Sequence, residues 1–73
     1  MKELFTANDI SVFCHALNSR LRVDMMQYIY SNKETSLADM AARFDISKAA
    51  VTQNIKILLN AGLIDMKTAP GKH

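Results

Sequence analysis

The feature that most restricts the fold is a pair of short amphipathic segments, three residues apart, each with its own N-cap signal. Ser36 and Asp39 form a Ser-x-x-Asp capping box, and the apolar residues that follow repeat at helical spacing as far as Phe44. Ser47 caps a longer segment, and Gly62 follows it where a left-handed residue commonly ends a helix. The pattern predicts two helices joined by a tight turn, within residues 36–62.

Two further helices are predicted before this pair. Thr6 and Asp9 form another capping signal, and the first helix then places four residues on one face that we expect to be buried: Ile10, Phe13, Cys14 and Leu17. Asn18 or Ser19 interrupts this helix. The second helix runs to about residue 30, and its inner face is predicted to carry Leu21, Met25, Tyr28 and Ile29.

The residues after Gly62 follow a different pattern. Residues 63–67 alternate partly between apolar and polar side chains, which predicts a short strand, and residues 68–71 contain the turn-forming pair Pro70 and Gly71. We therefore expect a mostly α fold: a single domain over residues 1–73, with about four helices, a helix-turn-helix unit at 36–62 and a short or incomplete β wing.

Composition excludes several classes of protein. A chain of 73 residues has room for one modest core, and it contains no apolar run of the ~20 residues that a membrane span needs. Cys14 is the single cysteine, which favours a reduced, cytoplasmic setting. The histidine, cysteine and acidic residues do not follow a familiar catalytic or metal-ligand spacing. We expect a non-enzyme without cofactor, metal or evident small-molecule ligand.

The positive charge lies in the second half of the chain. Residues 1–42 carry four cationic and five acidic side chains, whereas residues 43–73 carry five cationic and two acidic ones. A surface that binds a polyanion needs such an imbalance, although chance can also produce one of this size.

The longer helix of the pair, residues 47–61, is predicted to have an apolar and a polar face. Val51, Ile55 and Leu58 form the inner face, and five residues point the other way: Ala49, Thr52, Gln53, Lys56 and Asn60. Thr and Gln side chains can bond to base edges, and lysines can meet phosphates or guanine. A solvated helix face usually mixes Glu with Lys, but residues 48–60 contain no acidic residue. This face therefore favours contact with duplex DNA.

Several segments together resemble the ArsR family of bacterial winged-helix transcriptional regulators. The matching segments are residues 16–17, 20–22, 36–41, 46–55 and 58–64. The resemblance implies a DNA-binding regulator of transcription, commonly a dimer, whose second helix of the pair enters the major groove. On this resemblance the operator contacts fall on Ser47, Lys48, Ala49, Thr52, Gln53 and Lys56. We add Ser36 at the start of the preceding helix, and Lys67 and Lys72 at the predicted wing, as further DNA-binding residues.

The chain also departs from the family pattern. Metal-sensing members carry a Cys-x-Cys pair on the helix that corresponds to residues 37–44, and this segment contains neither Cys nor His. The second wing strand and the C-terminal dimerisation helix would follow His73, so we expect a chain truncated after the first wing strand. Whether such a regulator is a repressor or an activator is not encoded in these features.

Some assignments keep two interpretations open. Arg20 and Arg22 could reach phosphate, or could pair with Asp24 or Asp39 on the helix surface. Four apolar residues of the first helix region are candidates for a homodimer contact: Leu4, Phe5, Val12 and Ala16. The alternative to DNA binding is a winged-helix module that binds other proteins, or an oligomerising fragment of a longer regulator whose unpaired strand leaves an open edge.

Overall fold

The computed structural model describes residues 4–32, 34–65, 67, 69 and 70. These residues form four helices in the order α1 (Ala7–Leu17), α2 (Arg20–Ser31), α3 (Leu37–Phe44) and α4 (Lys48–Asn60). The mostly α fold predicted from the sequence is confirmed. Within the described ranges there is no strand, and no helix is long and apolar enough to cross a membrane.

The capping signals start the helices where the sequence places them. The Thr6 hydroxyl accepts the Asp9 N–H at 3.1 Å, and the Asp9 carboxylate accepts the Thr6 N–H at 3.0 Å. Ser36 and Asp39 make the same reciprocal pair at the start of α3. Ser19 caps α2, so the predicted break between the first two helices is confirmed. These bonds satisfy N–H groups that have no partner inside a helix.

The core lies among α2, α3, α4 and the segment that follows α4. Its buried residues are Met25, Ile29, Met40, Val51, Ile55, Leu58, Ile64 and Ala69. The Tyr28 and Phe44 rings meet edge to face, with centroids 5.7 Å apart, and join α2 to α3. The inner faces predicted for α2 and α4 are thereby confirmed, and the apolar residues of α3 lie in this core or pack against it.

Of the four residues predicted to be buried on α1, three are exposed and the fourth, Phe13, is half-buried, so the predicted face is largely wrong. Ile10 is 53% exposed and Leu17 is 41% exposed, Cys14 is exposed, and the residue that α1 buries is Ala16, at 0% exposure. The apolar spacing of α1 is that of an amphipathic helix, but α2, α3 and α4 already fill the small core. Ala16, with almost no side chain, is the residue of α1 that packs closely against the rest. Its full burial also removes Ala16 from the predicted dimer contact.

The chain after α4 turns back onto the core and does not form the predicted strand. Gly62 adopts a left-handed φ of 73°, as predicted, and the Leu63 N–H bonds to the Leu58 carbonyl at 3.0 Å. Ile64 is 3% exposed, and the Ala69 N–H bonds to the Asp65 carbonyl at 3.0 Å. Burial of Ile64 and this turn replace strand pairing, for which no described segment supplies a partner. Residues 66, 68 and 71 of the predicted strand and turn, and residues 72 and 73 after them, lie outside the described residues.

Candidate nucleic-acid interface

The turn between α3 and α4 sets the position of the longer helix. Asp45 ends α3 in a left-handed conformation with φ 56°, and the Ile46 N–H bonds to the Ala41 carbonyl at 3.0 Å. Asp is one of the few residues other than Gly that enters this region readily, because its short polar side chain can bond locally. The two helices pack extensively against each other, so this turn leaves one side of α4 in solvent.

The start of α4 is an exposed, capped helix end. The Ser47 Oγ accepts the Ala50 N–H at 3.0 Å, and Ser47 and Lys48 are both exposed. In this geometry the Ser47 hydroxyl keeps its own O–H for a further acceptor, and the helix end carries a partial positive charge. Asp45 is exposed in the same turn and places one acidic group near this end. An anion would therefore meet both a favourable helix end and one repulsive neighbour.

A single exposed row follows the outer side of α4. Its members are Ala49, Gln53, Lys56 and Asn60, at spacings of four, three and four residues. At a rise of 1.5 Å per residue the row is about 16 Å long. Thr52 is half-buried, so it lies at the border between this row and the packed side. The structure thus brings Ala49, Gln53 and Lys56 onto one face, with Ser47 and Lys48 at its N-terminal end.

Both lysines of α4 are available for an external anion. Lys48 and Lys56 are exposed, and the described part of the chain offers neither of them an acidic partner within salt-bridge distance. No acidic residue occurs between Asp45 and Asp65 in the sequence. The exposed face of α4 therefore presents hydrogen-bonding side chains and uncompensated positive charge.

The other three predicted site residues do not belong to this face. Ser36 is half-buried at the start of α3, where its hydroxyl serves the capping box with the exposed Asp39. Lys67 is exposed in the turn after α4, and its backbone N–H bonds to an Asp65 carboxylate oxygen at 3.0 Å. Lys67 therefore does not lie on a wing strand, and Lys72 is outside the described residues.

The two arginines of α2 make different contacts, whereas the sequence suggested the same two alternatives for both. Arg20 pairs with Asp24 at 2.9 Å on the surface, as one of the two interpretations predicted. The Arg22 guanidinium instead bonds to the carbonyls of His15 and Ala16 and to the side chain of Asn54. The contact with Asn54 joins residues 32 positions apart. No local pattern signals such a contact, so sequence reasoning missed it.

A further arginine, Arg43 of α3, contacts two aromatic rings. The Arg43 guanidinium lies 5.6 Å from the Tyr28 ring centroid and 5.8 Å from that of Phe44. These cation–π contacts attach an exposed side chain of α3 to the α2–α3 contact. They explain the position of Arg43 by packing, and Arg43 is not among the predicted site residues.

Comparison with known protein families identifies the domain type of the central part of the chain. A family model described as a helix-turn-helix domain matches residues 17–67, which covers α2, α3, α4 and the turn after them. No curated protein and no solved structure matches the chain. The match begins at the last residue of α1 and includes the whole exposed row of α4. Since it covers more than half of the chain, the protein belongs to this family of helix-turn-helix domains.

Proposed function

We propose that the protein binds duplex DNA in a sequence-dependent way and regulates transcription, with α4 in the major groove. The observation that carries the proposal is the exposed face of α4 in the helix-turn-helix unit. Residues 48–60 contain no acidic residue, and Lys48 and Lys56 have no acidic partner among the residues that the structure describes. The major groove is about 12 Å wide and admits a helix. Because α4 buries Val51, Ile55 and Leu58 on its other side, the exposed face remains free for such a contact.

The side chains on this face divide by chemistry into two groups. The Gln53 amide can bond in a bidentate way to adenine, and the half-buried Thr52 is placed for a base edge or the sugar-phosphate backbone. Lys48 and Lys56 supply charge toward phosphates, and the Ser47 cap adds a helix end that suits a phosphate. Ala49 is small enough for close approach to a thymine methyl group.

We further propose that the protein is a cytoplasmic, ArsR-like winged-helix regulator that acts as a homodimer, without enzymatic activity, cofactor or metal. The sequence resemblance and the exposed apolar side chains of the α1 region support a second copy as partner. These side chains include Leu4, Phe5, Ile10 and Leu17. A two-fold dimer would place two α4 helices on a palindromic site. Ser36, Lys67 and Lys72 remain candidates for outer backbone contacts.

The same α1 surface favours a second candidate function, a module that binds another protein. Leu4 is 91% exposed, and Phe5 and Ile10 are each 53% exposed, which is a large apolar area for a small domain. This alternative does not account for the unpaired lysines and the absence of acidic residues on α4. DNA binding accounts for both, so it is the function that we propose.

The salt dependence of DNA affinity tests this proposal. Binding sites are selected from a random duplex library, and affinity for the selected site is measured by fluorescence anisotropy at several salt concentrations. Each phosphate contact contributes about 0.9 to the slope of log affinity against log salt. We therefore expect Lys48→Ala and Lys56→Ala each to reduce that slope by about 1 and to weaken binding to all duplexes.

Arg20→Gln is the matched control, because it removes one exposed positive charge whose partner is Asp24. We expect it to leave the slope unchanged. Absence of duplex binding by the wild-type protein at low salt contradicts the proposal. So does an equal loss of slope in all three variants, because the effect would then come from net charge and not from the α4 face.

A further inference from the structure

Arg22 makes three hydrogen bonds that join three helices at one point. From α2, its Nε donates to the Ala16 carbonyl at 2.9 Å and its Nη2 donates to the His15 carbonyl at 3.0 Å. Both acceptors are in the last turn of α1, where a cation is favourable, and the His15 carbonyl also accepts the Asn18 N–H at 3.3 Å. The Nη1 of Arg22 donates to Asn54 Oδ1 at 3.1 Å, on α4. One guanidinium therefore bonds both to the C-terminal end of α1 and to α4.

The acceptor on α4 is itself fixed in orientation. Asn54 Nδ2 donates to the Ala50 carbonyl at 2.8 Å, one turn earlier in the same helix. Because a guanidinium has only donors, the Asn54 oxygen must face Arg22, and the amide has one orientation that satisfies both bonds. Asn54 follows Gln53 directly in the sequence. A change in the rotation of α4 that breaks the Arg22 bond would therefore also displace Gln53.

Close packing does not provide this link between α1 and α4. The two helices border a groove of about 380 Å³, lined from α1 by Ser11, Val12 and His15 and from α4 by Ile57 and Asn60. The packing contacts of α4 are instead with α3 and, less extensively, with α2. Arg22 therefore provides a directional connection at the end of a groove that is otherwise open.

We propose that Arg22 is a positioning residue for DNA reading: it fixes α4 relative to α1 and α2 without touching DNA. The inference rests on the proposed function and adds to it the residue that orients α4. A lysine at this position keeps the charge but loses the planar set of donors, so it cannot reproduce three directed bonds. In Arg22→Lys the orientation of α4 is therefore less well fixed, while the net charge of the protein stays the same.

Positioning and direct phosphate contact predict different binding results. A positioning residue affects the ratio of affinity for the selected site to affinity for unrelated duplex, because only the selected site depends on aligned base contacts. A phosphate contact affects all duplexes and the salt slope. For Arg22→Lys we expect that ratio to fall at least about fivefold, comparable to the loss of one base-reading contact, with no change in the salt slope.

The variants are compared by anisotropy on the selected site and on unrelated duplex, and circular dichroism verifies that each variant is folded. Arg20→Lys, two residues earlier on α2 with its surface partner Asp24, is the matched control and should keep the wild-type ratio. Asn54→Ala removes the acceptor on α4 and should lower the ratio as Arg22→Lys does. It also tests the proposal if Arg22→Lys does not fold.

A double-mutant cycle separates this inference from the proposed function, because it needs no DNA. Urea unfolding of Arg22→Lys, Asn54→Ala and the double variant should show that the two effects are not additive, since the residues share a bond. If the two substitutions are coupled but the wild-type protein does not bind DNA, the proposed function is overturned, and the positioning role with it. The bond between Arg22 and Asn54 would still stand as a structural contact. DNA binding with a wild-type ratio in Asn54→Ala, or a salt slope reduced by about 1 in Arg22→Gln, would overturn the positioning role alone.

Discussion

At the scale of single residues, two left-handed positions bound the helix-turn-helix unit. Asp45 has φ 56° between α3 and α4, and Gly62 has φ 73° after α4. Glycine adopts this region at no steric cost, whereas a residue with a Cβ pays roughly 1–2 kcal/mol for it. Gly62 was identified from its place in the sequence, but the left-handed conformation of Asp45 became evident only in the structure.

Gly62→Ala should therefore destabilise the protein through backbone strain alone. A Cβ at this position would meet no atom within 4 Å, so no clash adds to the cost. We expect a loss of about 1 kcal/mol in the free energy of unfolding, measured by urea denaturation. Asp45→Gly is the matched comparison, because it relieves a left-handed conformation and should not lower stability on that ground. A Gly62→Ala variant as stable as the wild type would contradict this account.

At the scale of elements, α1 and α3 begin with the same capping box but differ in what they bury. The α3 helix places Met40 in the core at 0% exposure, and Leu37, Ala41 and Phe44 of the same helix pack against that core. The α1 helix buries only Ala16 among its described residues. Since tertiary packing supplies most helical stability, the same cap is expected to have different effects in the two helices.

Ser36→Ala should lower the free energy of global unfolding by about 1 kcal/mol, because the cap supports a helix that belongs to the core. Thr6→Ala removes the equivalent bond from α1, and we expect mainly faster amide exchange within residues 7–17. Urea unfolding measures the first effect and hydrogen exchange the second. Equal losses of global stability in the two variants would show that α1 unfolds together with the core, contrary to this expectation.

At the scale of the whole molecule, the core and the exposed apolar surface are separate. The core connects α2, α3 and α4, which are also the helices covered by the helix-turn-helix family match. The α1 region carries most of the large exposed hydrophobic residues, among them Leu4, Phe5, Ile10 and Leu17. An apolar surface outside the core is typical of an interaction site, and the proposed dimer would cover it.

Ile10→Glu tests this contact with a second copy. A carboxylate on a surface that becomes buried is costly, so we expect the variant to shift toward monomer, while the wild type increases in average mass with concentration. Sedimentation equilibrium measures both. Gln27→Glu makes the same acidic change at an exposed position on α2 and should associate like the wild type. A wild-type protein that stays monomeric at all concentrations would contradict the dimer.

The sequence alone was enough to determine the helices and their starts. Capping boxes such as Ser36 with Asp39, and apolar spacing such as Val51, Ile55 and Leu58, act between residues three or four positions apart. These interactions form within one segment whatever surrounds it. The exposed face of α4 could be predicted for the same reason, because the helical period places Gln53 and Lys56 opposite Val51.

Only the tertiary structure decided which apolar faces are buried and which polar groups are linked. The face predicted for α1 has a regular period, but a small core has limited space, and α2, α3 and α4 occupy it. Ile64 enters that core, so the chain turns there and does not extend as a strand. The bond from Arg22 to Asn54 depends on how α2 and α4 pack across 32 positions of sequence. Competition for a shared core and contacts between distant segments are properties of the assembled chain, and no local pattern contains them.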